Sequence, residues 1–386
     1  MLVHFAQFHQ IAITQFGVPN MKSPDRSTDK SPAPDLKLPR ASAEPVKRAQ
    51  IEPLLVRPGA RYTCFGDGLC CMDIHMIGPI DQAEVDRVEG FREGAAVWDE
   101  AYEEHALCTA ADGGCVFLEA DMRCRIHADH GPEQKPEGCR RFPIGLTATP
   151  YGGRVTTEHR CPCRTMGDRP LLEAERAAPA LCDDDGELFE DRRVKRVRLT
   201  RKGKKVSFDQ WLEIERPLLA ELQKGKAPWS VITAEPFPRL KRNTWKDVAH
   251  ELIEARDGTR YGTASAWFGD AILVLQEGAR PRTPGRPWAA AFERAQARST
   301  VQRLPRQVYA DFIADAIWSL RFTEFTSFDL ACADWATRLA IARHCEKEIR
   351  AQGVTAERAA AEALTIIEVV GEAEAWRDVV SKNMRV

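Results

Sequence analysis

The residues able to do chemistry are concentrated in one stretch. Nine of the chain's 12 cysteines (Cys64, Cys70, Cys71, Cys108, Cys115, Cys124, Cys139, Cys161 and Cys163) fall within 100 of its 386 residues. Cys182 follows shortly after, and only Cys332 and Cys345 lie in the remaining chain. Thiols at this density serve either a disulfide framework or a metal site. A chain of this length can bury enough surface to fold without covalent staples. In a reducing compartment thiols stay free, and a cysteine cluster more often binds metal. The vicinal pair Cys70-Cys71 also suits a disulfide ladder poorly, so metal is the preferred reading.

Thiolates hold zinc and iron because they are soft, charged donors, and they must be deprotonated and convergent to do so. The spacings are C-x5-C-C, C-x8-C, a further cysteine after 14 residues, then C-x-C after 21. None is the compact C-x2-C pair of zinc fingers and ribbons, and no C-x3-C-x2-C run of a radical-SAM enzyme is present. Nine or ten thiols exceed one four-ligand site. One iron–sulfur cluster with spare thiols and two metal sites both remain open. His75, His105, His127, His130 and His159 share the region. Each reads as a polar loop residue, with His159 the best exception because it adjoins Cys161 and Cys163.

Several elements must position these donors. Asp81 and Glu84 form a capping box behind Pro79, which predicts a helix from about Gln82, broken near Gly90 or Gly94 and resumed over Ala95 to Ala106. Val116–Glu119 and Arg123–His127 read as strands joined at Ala120-Asp121, which would bring Cys115 and Cys124 together. A second hairpin is predicted from Ile144 to Glu158, turning at Pro150-Tyr-Gly-Gly153 and returning His159, Cys161 and Cys163 to the same place.

The run C-F-G-D-G-L-C-C, then C-V-F-L with R-C-R-I-H, then C-R-R-F-P, resembles the YkgJ-type cysteine-cluster family. These are zinc- or iron-chelating domains grouped with the flagellin lysine N-methylases. The resemblance covers Tyr62 to Pro143, extending toward Cys163. It implies metal ligation by Cys64, Cys70, Cys71, Cys115, Cys124 and Cys139, with Cys161 and Cys163 added here on proximity. Cys108 and Cys182 are reserves. The family begins C-x2-C-G-x-C-C, whereas Asp67 stands at the second cysteine in this chain. Asp67 could serve as an oxygen ligand, the site could lack one thiolate, or Cys161 or Cys163 could substitute.

The rest of the chain carries weaker signals. Residues 20–50 hold Pro24, Pro32, Pro34, Pro39 and Pro45 among charges and serines, the composition of a disordered tail; Met21 could be the true start. Beyond Cys182 a hairpin over Val194–Leu199 and Lys204–Phe208 is expected. Helices should follow from Ser207, and at about 244–256, 261–277, 287–298, 305–321, 327–351 and 355–381. Nine of the fourteen residues from Arg192 to Lys205 are basic, which reads as the solvated face of that hairpin. His250-Glu-Leu-Ile-Glu254 lacks the second histidine of a zinc-peptidase helix and reads as helix surface. No nucleotide-binding glycine motif or nucleophile elbow occurs. A formal net charge of −2 gives no global case for nucleic acid or membrane.

The expectation is therefore an α+β protein: a tail over 1–50, a cysteine-rich domain of short hairpins and helices over 51–186, and a mainly helical domain over 187–386. It reads as cytoplasmic, with zinc or iron (an iron–sulfur cluster being one form) as cofactor. Two alternatives to a metal-organised, redox-capable protein stand beside this. One is a protein-lysine N-methylase-like enzyme, and the other an adaptor with structural zinc whose helical half grips a protein partner.

Overall fold

A computed structural model describes residues 48–386 apart from Met76, Ala101, Tyr102 and Thr300. The predicted tail and the question of Met21 lie outside the described residues. The first half builds small sheets and the second half is helical, the α+β arrangement expected. No described helix is long and apolar enough to cross a membrane.

The predicted hairpin forms from Ile144–Thr149 and Gly152–Thr157. Leu54–Val56 adds parallel to its second strand and Arg192–Arg193 parallel to its first, giving four strands with the hairpin at the centre. Gln50 already bridges Thr149, so order reaches at least that far back. Gly153 is required by close packing: a Cβ there would lie 2.1 Å from the Ile51 carbonyl oxygen. Every residue of Gly152–Thr157 is buried, because helices cover the sheet. Arg154 on this strand reaches Glu215 of helix Phe208–Gln223 through Nη1 and Nη2, at 2.6 and 2.7 Å. Its guanidinium also lies 4.1 Å from the Trp318 ring centroid.

Three capping boxes open helices where the residues indicated: Asp81 with Glu84, Ser207 with Gln210, and Thr244 with Asp247. Each satisfies backbone N–H groups that a helix start would leave unpaired. The hairpin Arg196–Arg198/Lys205–Ser207 also forms as expected. The main helices are Trp245–Glu254, Arg260–Glu277, Ala289–Ala297, Pro305–Ser319, Phe328–Arg350 and Ala356–Gly371. Ala356–Gly371 is the central helix, buried from Glu357 to Gly371. The expected 355–381 helix ends there; Glu374–Asp378 starts a new turn after Ala373.

Two expectations are corrected. Ala95–Ala106 is not helix; Ala96–Asp99 pairs antiparallel with Glu104–Leu107. Gly94 turns with φ 71°, and the Glu89 carboxylate accepts from the Gly94 and Ala96 amides at 2.8 Å each, diverting the chain out of the helix. Arg123–His127 is not a strand; Arg125–His130 is a short helix with Cys124 at its N-cap. The turn itself survives: the Glu119 amide donates to the Arg123 carbonyl at 2.9 Å, and Leu118 bridges Cys124.

The main apolar core joins the helices to Leu69, Met72, Ile74 and Met166 from the cysteine-rich half. A separate, small cluster of nine buried residues, including Ile77, Val88, Leu107, Phe117 and Ile126, supports the segment that carries Cys115, Cys124 and Cys139.

Candidate metal centre

The loop Cys64–Cys70 owes its shape to two glycines. Gly66 and Gly68 adopt φ of 68° and 79°, a region that penalises a Cβ, and they flank Asp67. The loop is held from the helical half. Arg294 Nε donates to the Asp67 carbonyl at 3.0 Å, Arg298 donates to the Phe65 carbonyl, and Arg169 lies over the Phe65 ring at 4.1 Å. The Asp67 side chain is thereby turned inward, 4% exposed, with Oδ1 accepting from the Leu69 amide at 2.9 Å.

There it meets Cys161 and Cys163, delivered by the hairpin and the short turn Pro162–Thr165. Donor atoms of Asp67, Cys161 and Cys163 lie within 4.8 Å of one another, and all three residues are buried. Cys163 Sγ donates to Asp67 Oδ2 at 2.6 Å and accepts from the Phe65 amide at 3.3 Å. Cys64 adds an exposed thiol from the open side, raised chiefly by its neighbour Cys163. No lysine, arginine or histidine forms an ion pair with Asp67 among the described residues. Arg169, Arg294 and Arg298 lie around the loop without pairing the carboxylate directly; burying it against two thiols is costly, and a divalent metal would offset that cost.

The surroundings favour the protonated form of these thiols. The hydrogen bond to Cys161 is the main influence raising Cys163, with burial and the Asp67 charge adding to it. For Cys161 the contact with Cys163 acts downward, but burial and the charges of Asp67 and Cys64 outweigh it, and that thiol is raised as well. The Cys163 Sγ to Asp67 Oδ2 contact at 2.6 Å occupies the space that a metal would bridge.

The other five candidates, Cys70, Cys71, Cys115, Cys124 and Cys139, form a looser group. Cys70 and Cys71 Sγ are 3.8 Å apart, and the Cys115 amide donates to the Cys71 carbonyl at 2.7 Å. Cys139 arrives on the short helix Glu137–Arg141. Among the described residues no three of these five bring their sulfurs within 4.8 Å of one another. Four of them, Cys70, Cys71, Cys124 and Cys139, line a pocket of about 460 Å³ together with Cys64 and Cys161, while Cys115 lies behind its wall. Burial pushes the Cys115 thiol up to about 11 and the Cys139 thiol up to about 12. Lys135 lies among them; burial lowers its ammonium, but the neighbouring sulfurs, Cys139 and Cys70 foremost, raise it overall. A cation placed there favours thiolates and would balance an anionic metal–thiolate centre. Cys108 and Cys182 line neither this pocket nor its smaller neighbour.

His75 was not distinguished by spacing, yet it borders that neighbouring pocket with Cys70, Cys71 and Cys139. Both its ring nitrogens are buried and unpartnered. It is therefore the imidazole placed to serve this group. His159, favoured by its position, points elsewhere: its Nε2 lies 2.9 Å from Asp315 Oδ2. Together with Asp311 these residues have metal-like proximity, but Arg57 and Arg164 already pair both carboxylates. That cluster is charge-balanced and does not call for a metal. It joins the turn bearing Cys163 to helix Pro305–Ser319.

Asp67 stood out as a departure from a cysteine pattern and as one candidate oxygen ligand; its contact with Cys163, 96 residues away, had no local signal. Comparison of the chain with protein-family models, curated proteins and solved structures finds no match.

Proposed function

We propose that this chain is a metal-binding protein in which two groups of thiols share one pocket and the metal organises the cysteine-rich half. Asp67, Cys161, Cys163 and Cys64 form a compact group suited to a single zinc or iron ion. Cys70, Cys71, Cys115, Cys124 and Cys139 are spread around a space, as suits a multi-atom iron–sulfur cluster better than one ion. Zinc would supply a structural cross-link, whereas iron would add electron transfer. The observation that carries the reading is the buried Asp67 carboxylate, which faces two thiols and forms no ion pair among the described residues. The small apolar cluster behind Cys115 and Cys124 adds support, because so few buried residues leave stability for a metal to provide.

The test uses two single variants of the full chain, Cys163→Ser and Cys139→Ser. Each is expected to lower bound metal, and Cys139→Ser to expose residues 60–165 to limited proteolysis. Unchanged metal content and an unchanged digestion pattern in both variants would overturn the assignment.

A further inference from the structure

The basic run Arg192–Lys205 does more than face solvent. Val197 is fully buried, which fixes its strand neighbours Arg196 and Arg198 outward on one face. The pairing register sets Arg198 directly opposite Lys205. Like charges in that position destabilise a sheet. Arg201 joins them from the turn, anchored where its amide donates to Asp329 Oδ2 at 3.3 Å and its Nη1 to the Met384 carbonyl at 3.1 Å. None of these four cations forms an ion pair among the described residues. The concentration is local, since the whole chain carries a net charge of −2.

The four side chains line a single concavity of about 290 Å³. Thr326, Ser327 and Glu324, whose carboxylate is paired with Arg192 at 3.2 Å, also line it, and the Thr326 hydroxyl is shielded from solvent with no hydrogen-bond partner. Guanidinium forks, an ammonium and a free hydroxyl around one hollow are the donor set that recognises a tetrahedral phosphoryl group. The volume sits at the small end of ligand sites, which limits the occupant to a compact molecule.

We propose that this hollow is a binding site for a small phosphoryl anion, a phosphate monoester or a pyrophosphate group, independent of the metal centre. Repulsion between Arg198 and Lys205 is tolerated because a bound anion relieves it.

Calorimetric titration of the full chain with pyrophosphate tests this at about 50 mM salt. One saturable site is expected, weakened at least about tenfold in Arg198→Gln/Lys205→Gln and unchanged in Lys224→Gln/Lys226→Gln, a basic pair elsewhere. Lys205→Gln alone should weaken binding at least about threefold, which keeps the test valid if the double variant folds poorly. The unliganded double variant should melt no lower than the parent, since the mutations remove repulsion. Absence of saturable binding by the parent chain would overturn the proposal, as would equal losses in the control pair. Tighter binding of a single-stranded oligonucleotide than of pyrophosphate would also overturn it, in favour of an extended nucleic-acid surface.

Discussion

On metal binding at the compact group, Cys161 and Cys163 should release about two protons per ion, and should still do so at pH 9, with Cys64 adding about one more. Cys161 and Cys163 are 5% and 0% exposed, and both thiols are raised, which favours their protonated forms in the unliganded protein. Each must lose its proton to become a ligand. Ordinary thiols, with pKa near 8.5, would be about one-quarter protonated at pH 9 and would together release only about 0.5 proton. With all three thiols of the group deprotonated on binding, apparent affinity should rise by up to about 1000-fold per pH unit from pH 7 to 9. Zinc delivered from a weak chelator, titrated by calorimetry in two buffers of different ionisation enthalpy, measures the release. A Cys161→Ser/Cys163→Ser variant is the control. Release below one proton at pH 9, or release unaltered in the double variant, would refute the assignment of these two sulfurs.

Three further outcomes are expected. Asp315→Ala removes the acceptor for Arg57 Nε at 2.5 Å, Thr157 Oγ1 at 2.7 Å and the contact with Arg164, leaving two buried guanidinium groups to share the single carboxylate of Asp311. Urea unfolding should show a loss of about 3–5 kcal/mol, and a loss below about 1 kcal/mol would contradict that role. Burial, with the Glu158 charge adding to it, pushes the Glu368 carboxyl up to about 8. A folded pKa raised above the unfolded value gives a contribution present below about pH 4.3 and lost as pH rises toward 8, at about 1.4 kcal/mol per unit. Glu368→Gln should remove that decline, and parallel stability curves for variant and parent would count against it. Asp67→Cys makes the compact group all-sulfur, so its cobalt(II) complex should absorb more strongly in the sulfur-to-metal charge-transfer region. An unaltered spectrum would mean that position 67 is not a ligand.

Where one local interaction decides an element, the sequence was readable. The capping boxes at Asp81, Ser207 and Thr244 and the tight turn at Pro150-Tyr151 all form as their residues indicate. Ala95–Ala106 misled because its alanines and glutamates favour helix, while the outcome rests on Glu89 capping the Gly94 and Ala96 amides. Arg125–His130 is six residues long, too short for intrinsic preference to prevail over its surroundings. The cysteines were identified by type and density, but not their division into a compact and an open group. That division depends on contacts such as Asp67 to Cys163, and on the ion pairs between Arg57 and helix Pro305–Ser319, which link distant parts of the chain. His75 was passed over because burial without a partner is a property of the folded state alone.

The central claim is metal binding, and the most direct measurement is elemental analysis with an absorption spectrum of the full chain purified without oxygen. At least about one equivalent of zinc or iron is expected. Iron with sulfide and absorbance near 400 nm would place a cluster in the open group. Zinc in a colourless protein would place a single ion in the compact group. A folded chain containing neither metal, which takes up neither on reconstitution, would contradict the claim.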